Sequence, residues 1–447
     1  MQSLFNENFP FRPAKWPFFY GYVITACAIL GMLLSVPGQT IGISVFTDNL
    51  ISHLKISRFQ LSMAYTLGTL ISSLIIGRVG KLLDNIGPRA IATSATLALG
   101  GVLIVLSQVD HLAFFLIRIL KVVNPVFLIL PLMVFLFLCL RFFGQGILSL
   151  ASRTMLMKWF VDLRGRMNSI QGVFVTLGFS AAPVFFEAII HKLGWRGAWM
   201  GMGLAISCCF AGIVWLFFRN TPETNNLVPD GRITPVHQKH VEEEQNRTLS
   251  EAKRTYTFWI FNLSLAMFSL FITAVTFHIV SIYETAGFSR ASAFSVFLPS
   301  SVMAVFLNLI AGWMSDWHYT KYRLKYLFIV MLTGLFLTGV GVVSLSLGWG
   351  RFCMILGLGL SQGLFATLVA VAWPRYFGRK HLGEIAGFNV SYLVFFSAIG
   401  PSIFGWSYQV SGHYMAAVGF CCLIVLGLLV AAFRADPPGK FEEKHKR

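Results

Sequence analysis

Charged residues are scarce in this sequence, at 12% of 447 residues, against roughly 25% in a soluble domain. With 56% of the chain hydrophobic, too little polar surface is left for a water-solvated globule, and lipid must cover the rest. Cysteine spacing is equally uninformative for metals or redox work. The seven cysteines (Cys27, Cys139, Cys208, Cys209, Cys353, Cys421, Cys422) all lie in apolar stretches without CxxC or Cys/His spacing. That excludes a disulfide framework or a zinc site and makes them small packing residues. No GxxxxGK[ST] occurs, so nucleotide-driven chemistry is excluded. No HExxH, Ser/His/Asp or paired-carboxylate arrangement occurs either, so the chain is not expected to be an enzyme and needs no cofactor or metal. Residues 1–17 carry no small-residue cleavage site after a short apolar core, so the first apolar run, from Phe18 to about Phe46, is expected to stay as a membrane anchor.

Long apolar runs are what the sequence does have. A bilayer core takes about 20 apolar residues in a helix. Twelve runs of that order occur, at 19–47, 59–79, 88–107, 125–151, 167–190, 197–218, 257–282, 292–314, 325–346, 352–373, 384–407 and 414–433. The fold class is therefore an all-α membrane protein, and placing both termini in the cytoplasm assigns every loop to a side. The inner segments then hold 26 of the 35 Lys and Arg residues. The outer segments hold Lys55, Arg58, Arg118, Lys121, Lys192, Arg196, Arg290 and Arg351, and Arg141 alone falls within a span. This asymmetry follows the positive-inside rule. It also accounts for the net charge of +17 without a nucleic-acid partner, because the cations are spread over many short loops.

The longest polar stretch, 219–256, separates a first bundle (1–218) from a second (257–433), which is followed by a basic tail (434–447). It reads as a solvated cytoplasmic linker with a short helix near Glu242–Glu244, too small for a catalytic domain. The two bundles repeat each other in register. Gly80-x-x-x-Asp84 at the end of span two answers Gly312-x-x-x-Asp316 at the end of span eight, and Gln145-Gly146 in span four answers Gln362-Gly363 in span ten. The interval from Asp84 to Gln145 nevertheless exceeds that from Asp316 to Gln362, by about 15 residues near 110–124. There, apolar residues at helical spacing are interrupted by Arg118 and Lys121. This segment is either an amphipathic helix lying in the outer interface or an extension of span four.

Several side chains stand out chemically. Arg141 lies well inside span four, where an arginine costs about 2.5–3.5 kcal/mol on insertion scales, so it should face the bundle interior and a polar partner. It is a recognition group for a substrate carboxylate, a modulator of a coupling proton, or a structural hub for span-end carbonyls. Glu187, near the outer end of span five, and His278, near the end of span seven, are candidate proton-coupling groups. Their alternatives are snorkelling to water for Glu187 and a capping hydrogen bond for His278. Gln39, Thr40, Tyr65, Gln145, Gln171, Gln362, Asn389 and Tyr392 are uncharged polar residues inside spans, as is Asn308 near an inner end. Each needs water, a ligand or a neighbouring helix as partner. Pro37, Pro183, Pro299 and Pro401 should bend their spans.

Gly80-x-x-x-Asp84-x-x-Gly87-x-Arg89 resembles the loop-2/3 signature of the major facilitator superfamily. Pro37–Thr40 (PGQT), Gly194–Trp199 (GWRGAW), His278 and Trp373–Gly387 are similar to its bacterial monocarboxylate-transporter-like branch. The resemblance covers essentially all twelve spans. It implies two pseudo-symmetric six-helix halves with a substrate site between them near the midplane. Gly80, Asp84, Gly87, Arg89, Gly312 and Asp316 are then expected to gate. Arg141, Gln39, Thr40, Tyr65, Gln145, Gln171, Gln362, Asn389 and Tyr392 are expected to meet a small-molecule substrate. The function so implied is secondary active transport of a small organic solute, such as a monocarboxylate, by alternating access with proton symport. A monomer in the bacterial inner membrane is expected. Proton-driven efflux is the alternative transport mode, and a non-transporting receptor is the reading from another class.

Overall fold

The computed structural model describes residues 9–231, 246–289, 292–293, 295–317 and 324–436. Glu242–Glu244, and the short helix expected there, lie outside them. Eleven helical runs among the described residues are long and apolar enough to cross a membrane. The sequence expects twelve, and the difference has one source. Spans five and six form one continuous run, Arg164–Phe217, of 54 residues. Gly194 interrupts it with φ 70° and ψ 165°, a left-handed φ that glycine adopts without steric cost.

By contacts the chain falls into two compact units. The first comprises Met1–Trp159, Val173–Ile233 and Ala386–Ser391, and the second Phe160–Gly172, Thr234–Ile385 and Tyr392–Arg447.

Span one is not a continuous helix. It runs as α1 (Gly21–Leu34), a 3₁₀ turn (Val36–Gly38), an extended Gln39 (φ −89°, ψ 158°), α2 (Thr40–Ser44) and α3 (Thr47–Leu54). The Pro37-Gly38 pair explains the break. Proline removes a ladder N–H, and the freed chain turns with Gly38 N–H on the Ser35 carbonyl and Gln39 N–H on that of Val36, both at 2.9 Å. The next helix, α4 (Arg58–Ile86), starts on a Ser57/Gln60 capping box and ends at Gly87 (φ 96°). Gly87 then caps α5 (Pro88–Ser107), and a Cβ there would lie 2.4 Å from the Asn220 side chain.

The segment near 110–124 is a helix of its own, α6 (Val109–Leu120). Lys121 closes it in the left-handed region before α7 begins at Val126. Span four therefore does not extend back into residues 110–124. Asp110, buried at the start of α6, forms an ion pair with half-buried Arg196. Burial pushes the Asp110 carboxyl up, but the Arg196 hydrogen bond, the His111 backbone N–H and the charges of both side chains together hold it below its ordinary value.

Span four consists of α7 (Val126–Leu140), a π-helical segment (Arg141–Leu148) and α8 (Ser149–Trp159). It thus reaches well past residue 151 at its C-terminal end. Arg153 and Lys158, placed in the inner loop by charge alone, lie on α8. Lys158 can stay helical and buried because Asp84 pairs with it at 2.7 Å.

Beyond it lie α9 (Arg164–Leu204), a second π segment (Ala205–Phe210) and α10 (Ala211–Phe217). Cys208 and Cys209 are exposed on that segment, whereas Cys27 and Cys421 are buried as packing residues. A short capped helix, α11 (Leu249–Lys253), precedes α12 (Tyr256–Thr285), α13 (Phe297–Ser315), α14 (Leu324–Val343), α15 (Gly350–Phe377), α16 (Leu382–Ser411) and α17 (Met415–Ala432). Pro299 does not bend a span. It is the third residue of α13, in the first turn, where its missing N–H has no helical partner to lose.

Candidate functional site

The break in span one and the π segment of span four meet, and Arg141 sits where they do. Close approach comes from two glycines. A Cβ on Gly38 would stand 2.5 Å from the Leu140 carbonyl oxygen, and one on Gly144 would stand 2.8 Å from the Gly38 Cα. Arg141 is 5% exposed. Its Nη1 donates to the Gly38 carbonyl at 3.2 Å and to Thr40 Oγ1 at 3.4 Å. Its guanidinium carbon lies 5.3 Å from the Tyr65 ring centroid, a cation–π contact, and the Tyr65 and Thr40 hydroxyls bond each other at 2.8 Å. Gln39 crosses the same junction, its Nε2 donating to Ser35 Oγ at 3.1 Å and to Ser149 Oγ at 3.3 Å.

What Arg141 lacks matters as much. Its Nε is buried without a hydrogen-bond partner, and no carboxylate bonds it among the described residues. An arginine stays ionised, so the junction holds a buried positive charge balanced only by a carbonyl, a hydroxyl and a ring face. The remaining donors suit a two-oxygen acceptor such as a carboxylate. Sequence reasoning found Arg141, Gln39, Thr40 and Tyr65, which the structure brings together. It missed Gly38, Gly144, Ser35 and Ser149. The Pro-Gly pair and the small residues facing it were the available signals.

Gln145 lies half-buried on the π segment. Gln171 is buried, with its Nε2 unpartnered, and Gln362 is half-buried on α15. Tyr392 stacks near Phe396 and Trp259, and Asn389 is buried on α16. In the second unit, Asn308 Nδ2 reaches the Gly363 carbonyl at 3.4 Å and Thr367 Oγ1 at 3.3 Å. Ser169 donates to the Asn308 carbonyl at 2.7 Å. Asn308 is thus held by helix packing.

Of the two proton-coupling candidates, Glu187 is exposed and forms no hydrogen bond or ion pair among the described residues. His278 is enclosed in a network. Its Nε2 faces the Pro401 carbonyl at 2.9 Å, and because a carbonyl only accepts, that nitrogen carries hydrogen. Its Nδ1 lies 3.3 Å from the Tyr414 hydroxyl, which in turn donates to Ser281 Oγ at 2.8 Å. Two hydroxyls in series can reverse their hydrogens, so the ring is accommodated both neutral and protonated.

The residues expected to gate lie at or near helix ends. Asp84 pairs with Lys158, and a Cβ on Gly387 would lie 3.0 Å from the Gly80 Cα. Arg89 is fully buried, its Nε on the Trp215 carbonyl at 2.8 Å and its Nη2 on that of Phe9 at 2.9 Å. In the second unit, Gly312 and Gly165 are pressed together, with a Cβ on Gly312 reaching to 2.5 Å of the Gly165 oxygen. Four residues on, Asp316 caps the start of α9, accepting from Gly165 N–H at 2.7 Å and Arg166 N–H at 2.9 Å. Arg375 pairs with the same carboxylate at 3.1 Å. Burial pushes the Asp316 carboxyl up to about 6, against the opposing charge of Arg375 and the two backbone donors. Among the described residues no three His, Cys, Asp or Glu side chains gather as metal ligands.

A bundle of apolar helices with a broken span and a buried cation at the break is the architecture of a membrane carrier. The profile of the Major Facilitator Superfamily matches residues 23–401, and the chain belongs to that family of transporters. The proton:xylose symporter XylE, bound to 6-bromo-6-deoxy-D-glucose, aligns with a TM-score of 0.65 at 17% identity, over 93% of this chain and 95% of its own. The human organic anion transporter MFSD10 (TETRAN) aligns at 0.58 and 14% identity, over 93% and 99%. FucP, in its outward conformation, aligns at 0.60 and 13% identity, over 93% and 99%. No curated protein matches the sequence.

Proposed function

We propose that the protein is a proton-coupled symporter of a small organic acid, such as a monocarboxylate, working by alternating access. The observation that carries this reading is Arg141. It is a buried, permanently charged group at a helix break, with Nε unpartnered and no acid bonded to it among the described residues. A cargo carboxylate would complete its hydrogen bonds and neutralise its charge, with Thr40 and Tyr65 orienting it. Gln39, Gln145, Gln171, Gln362, Asn389 and Tyr392 are the further candidate cargo contacts. The gate is assigned to Gly80, Asp84, Gly87, Arg89, Gly312 and Asp316. His278 is the better proton carrier of the two candidates, because its network accepts both protonation states, whereas exposed Glu187 has no hydrogen-bond or ion-pair partner among the described residues.

The chain is read as twelve spans, six on each side of the 219–256 linker, with both termini cytoplasmic, acting as a monomer in the bacterial inner membrane. Among chains of this fold, proton symport and organic-anion transport both occur, which is compatible with the reading.

The test is uptake of a panel of labelled carboxylates, sugars and amines into proteoliposomes, with and without an imposed proton gradient. Carboxylate accumulation that collapses with the gradient is expected. Gradient-insensitive uptake would remove proton coupling. Uptake of neutral or cationic compounds alone would remove the organic acid. Accumulation driven only by exchange against protons would establish efflux instead.

A further inference from the structure

Arg141 has a counterpart on the same span. Arg153 lies twelve residues on, on α8. In an unbroken α-helix that spacing would turn the two side chains roughly 120° apart. The π segment between them closes wider turns and takes up about one extra residue, which reduces the angle to roughly 20°. Arg141, Gln145, Ser149 and Arg153 therefore succeed one another along a single strip. Gln145, Ser149 and Arg153 are all half-buried, while most residues between them are buried.

Arg153 is also without a counter-charge. It makes no hydrogen bond or ion pair among the described residues, in contrast to Lys158 one turn on, which pairs with Asp84. Of the elements packed against α8, α1 has no charged residue and α5 only the cation Arg89, while Asp84 on α4 pairs with Lys158 and Asp230, on the short turn Pro229–Gly231, forms no ion pair with Arg153. A cation inside a span is retained when it lines a polar path or meets a mobile partner.

Resting on the organic-acid reading above, we propose that Arg153 is a second anion station on the cargo path. The strip leads from Arg141 past Gln145 and Ser149 to Arg153, roughly 18 Å along the helix. Gln39, bonded to Ser149, ties the break in span one to the middle of this path. The π segment is then what puts both cations on the path.

The experiment places a reporter thiol between the two cations. Ser149→Cys is reacted with anionic methanethiosulfonate ethylsulfonate and with the cationic trimethylammonium analogue. Each rate is normalised to that with free mercaptoethanol, and protein lacking the reporter serves as background for the native cysteines. The anionic reagent is expected to react faster. Arg153→Gln in the reporter background should lower the anion-to-cation ratio about fivefold, as expected for a unit charge one helical turn away, and Arg153→Lys should keep it. A ratio unmoved by Arg153→Gln, or a reporter that neither reagent reaches, overturns the proposal. A reporter sensitive to Arg141→Gln but not to Arg153→Gln defeats this proposal and leaves the organic-acid reading standing. The reverse pattern upholds Arg153 and removes Arg141 as the anion group.

Discussion

Arg141 is held by few bonds for a buried cation. Nη1 makes both of its hydrogen bonds, and on the proposed reading the rest of the fork grips a cargo carboxylate. A charge-assisted bond of this kind contributes about 1.5–3 kcal/mol. Arg141→Ala should therefore cut carboxylate uptake by at least about tenfold while expression and monodispersity stay near those of the parent. Arg141→Lys should fail nearly as badly, because an ammonium cannot reproduce the planar fork. Uptake by the alanine variant at the parental rate would show that Arg141 is a structural hub. This residue was legible in the sequence because one arginine in an apolar run has no inexpensive place to go. Gln39, Thr40 and Tyr65 were legible for the milder reason that polar groups in a span need partners. Arg153 was not, because a cation following 27 apolar-rich residues looks like the start of a loop. Only the helix continuing to Trp159 and the π turn above it reveal where that side chain falls.

At the scale of elements, helices were legible as apolar runs, and their irregularities were not. Hydropathy averages over a window, so it passes through the break at Ser35–Gln39 and the π segments without registering them. The register between the repeated halves did better with α6, because an insertion shows as a change in spacing. The junction of α9 and α13 was half legible. Asp316 stood out by symmetry with Asp84, but its backbone partners, Gly165 and Arg166, depend on how two helix ends meet.

That junction has a pH dependence whose sign follows from linkage. Docked Asp316 titrates at about 6, against about 3.9 for an aspartate in water. The docked state therefore holds the extra proton between those values. Docking is strongest below about pH 4 and weakens as pH rises through 6. Hydrogen exchange at residues 164–170, corrected for intrinsic rates, should show protection rising as pH is lowered from 7.5 to 5, and Asp316→Asn should remove that dependence. Protection that falls on acidification in the parent would mean that Arg375 and the backbone donors outweigh burial.

For the whole molecule, the number of crossings fixes the sides of the ends. An odd count puts the termini on opposite faces and an even count on the same face. The run Arg164–Phe217 decides which. Its 54 residues would extend roughly 81 Å as one helix, against a hydrocarbon core of about 30 Å, so it cannot cross once. Gly194 turns the chain, and Lys192 and Arg196 flank that turn with charge. On the proposed reading this run crosses twice, which makes twelve crossings and would put both termini on one face and Gly194 on the other. Fluorescent and alkaline-phosphatase fusions at each terminus should report the same cytoplasmic side, and an epitope inserted beside Gly194 should be reached only from outside. Termini on opposite faces would mean that one of the runs does not cross. The first to suspect would be the broken span one, whose separate pieces α1, α2 and α3 are each too short to traverse the core alone.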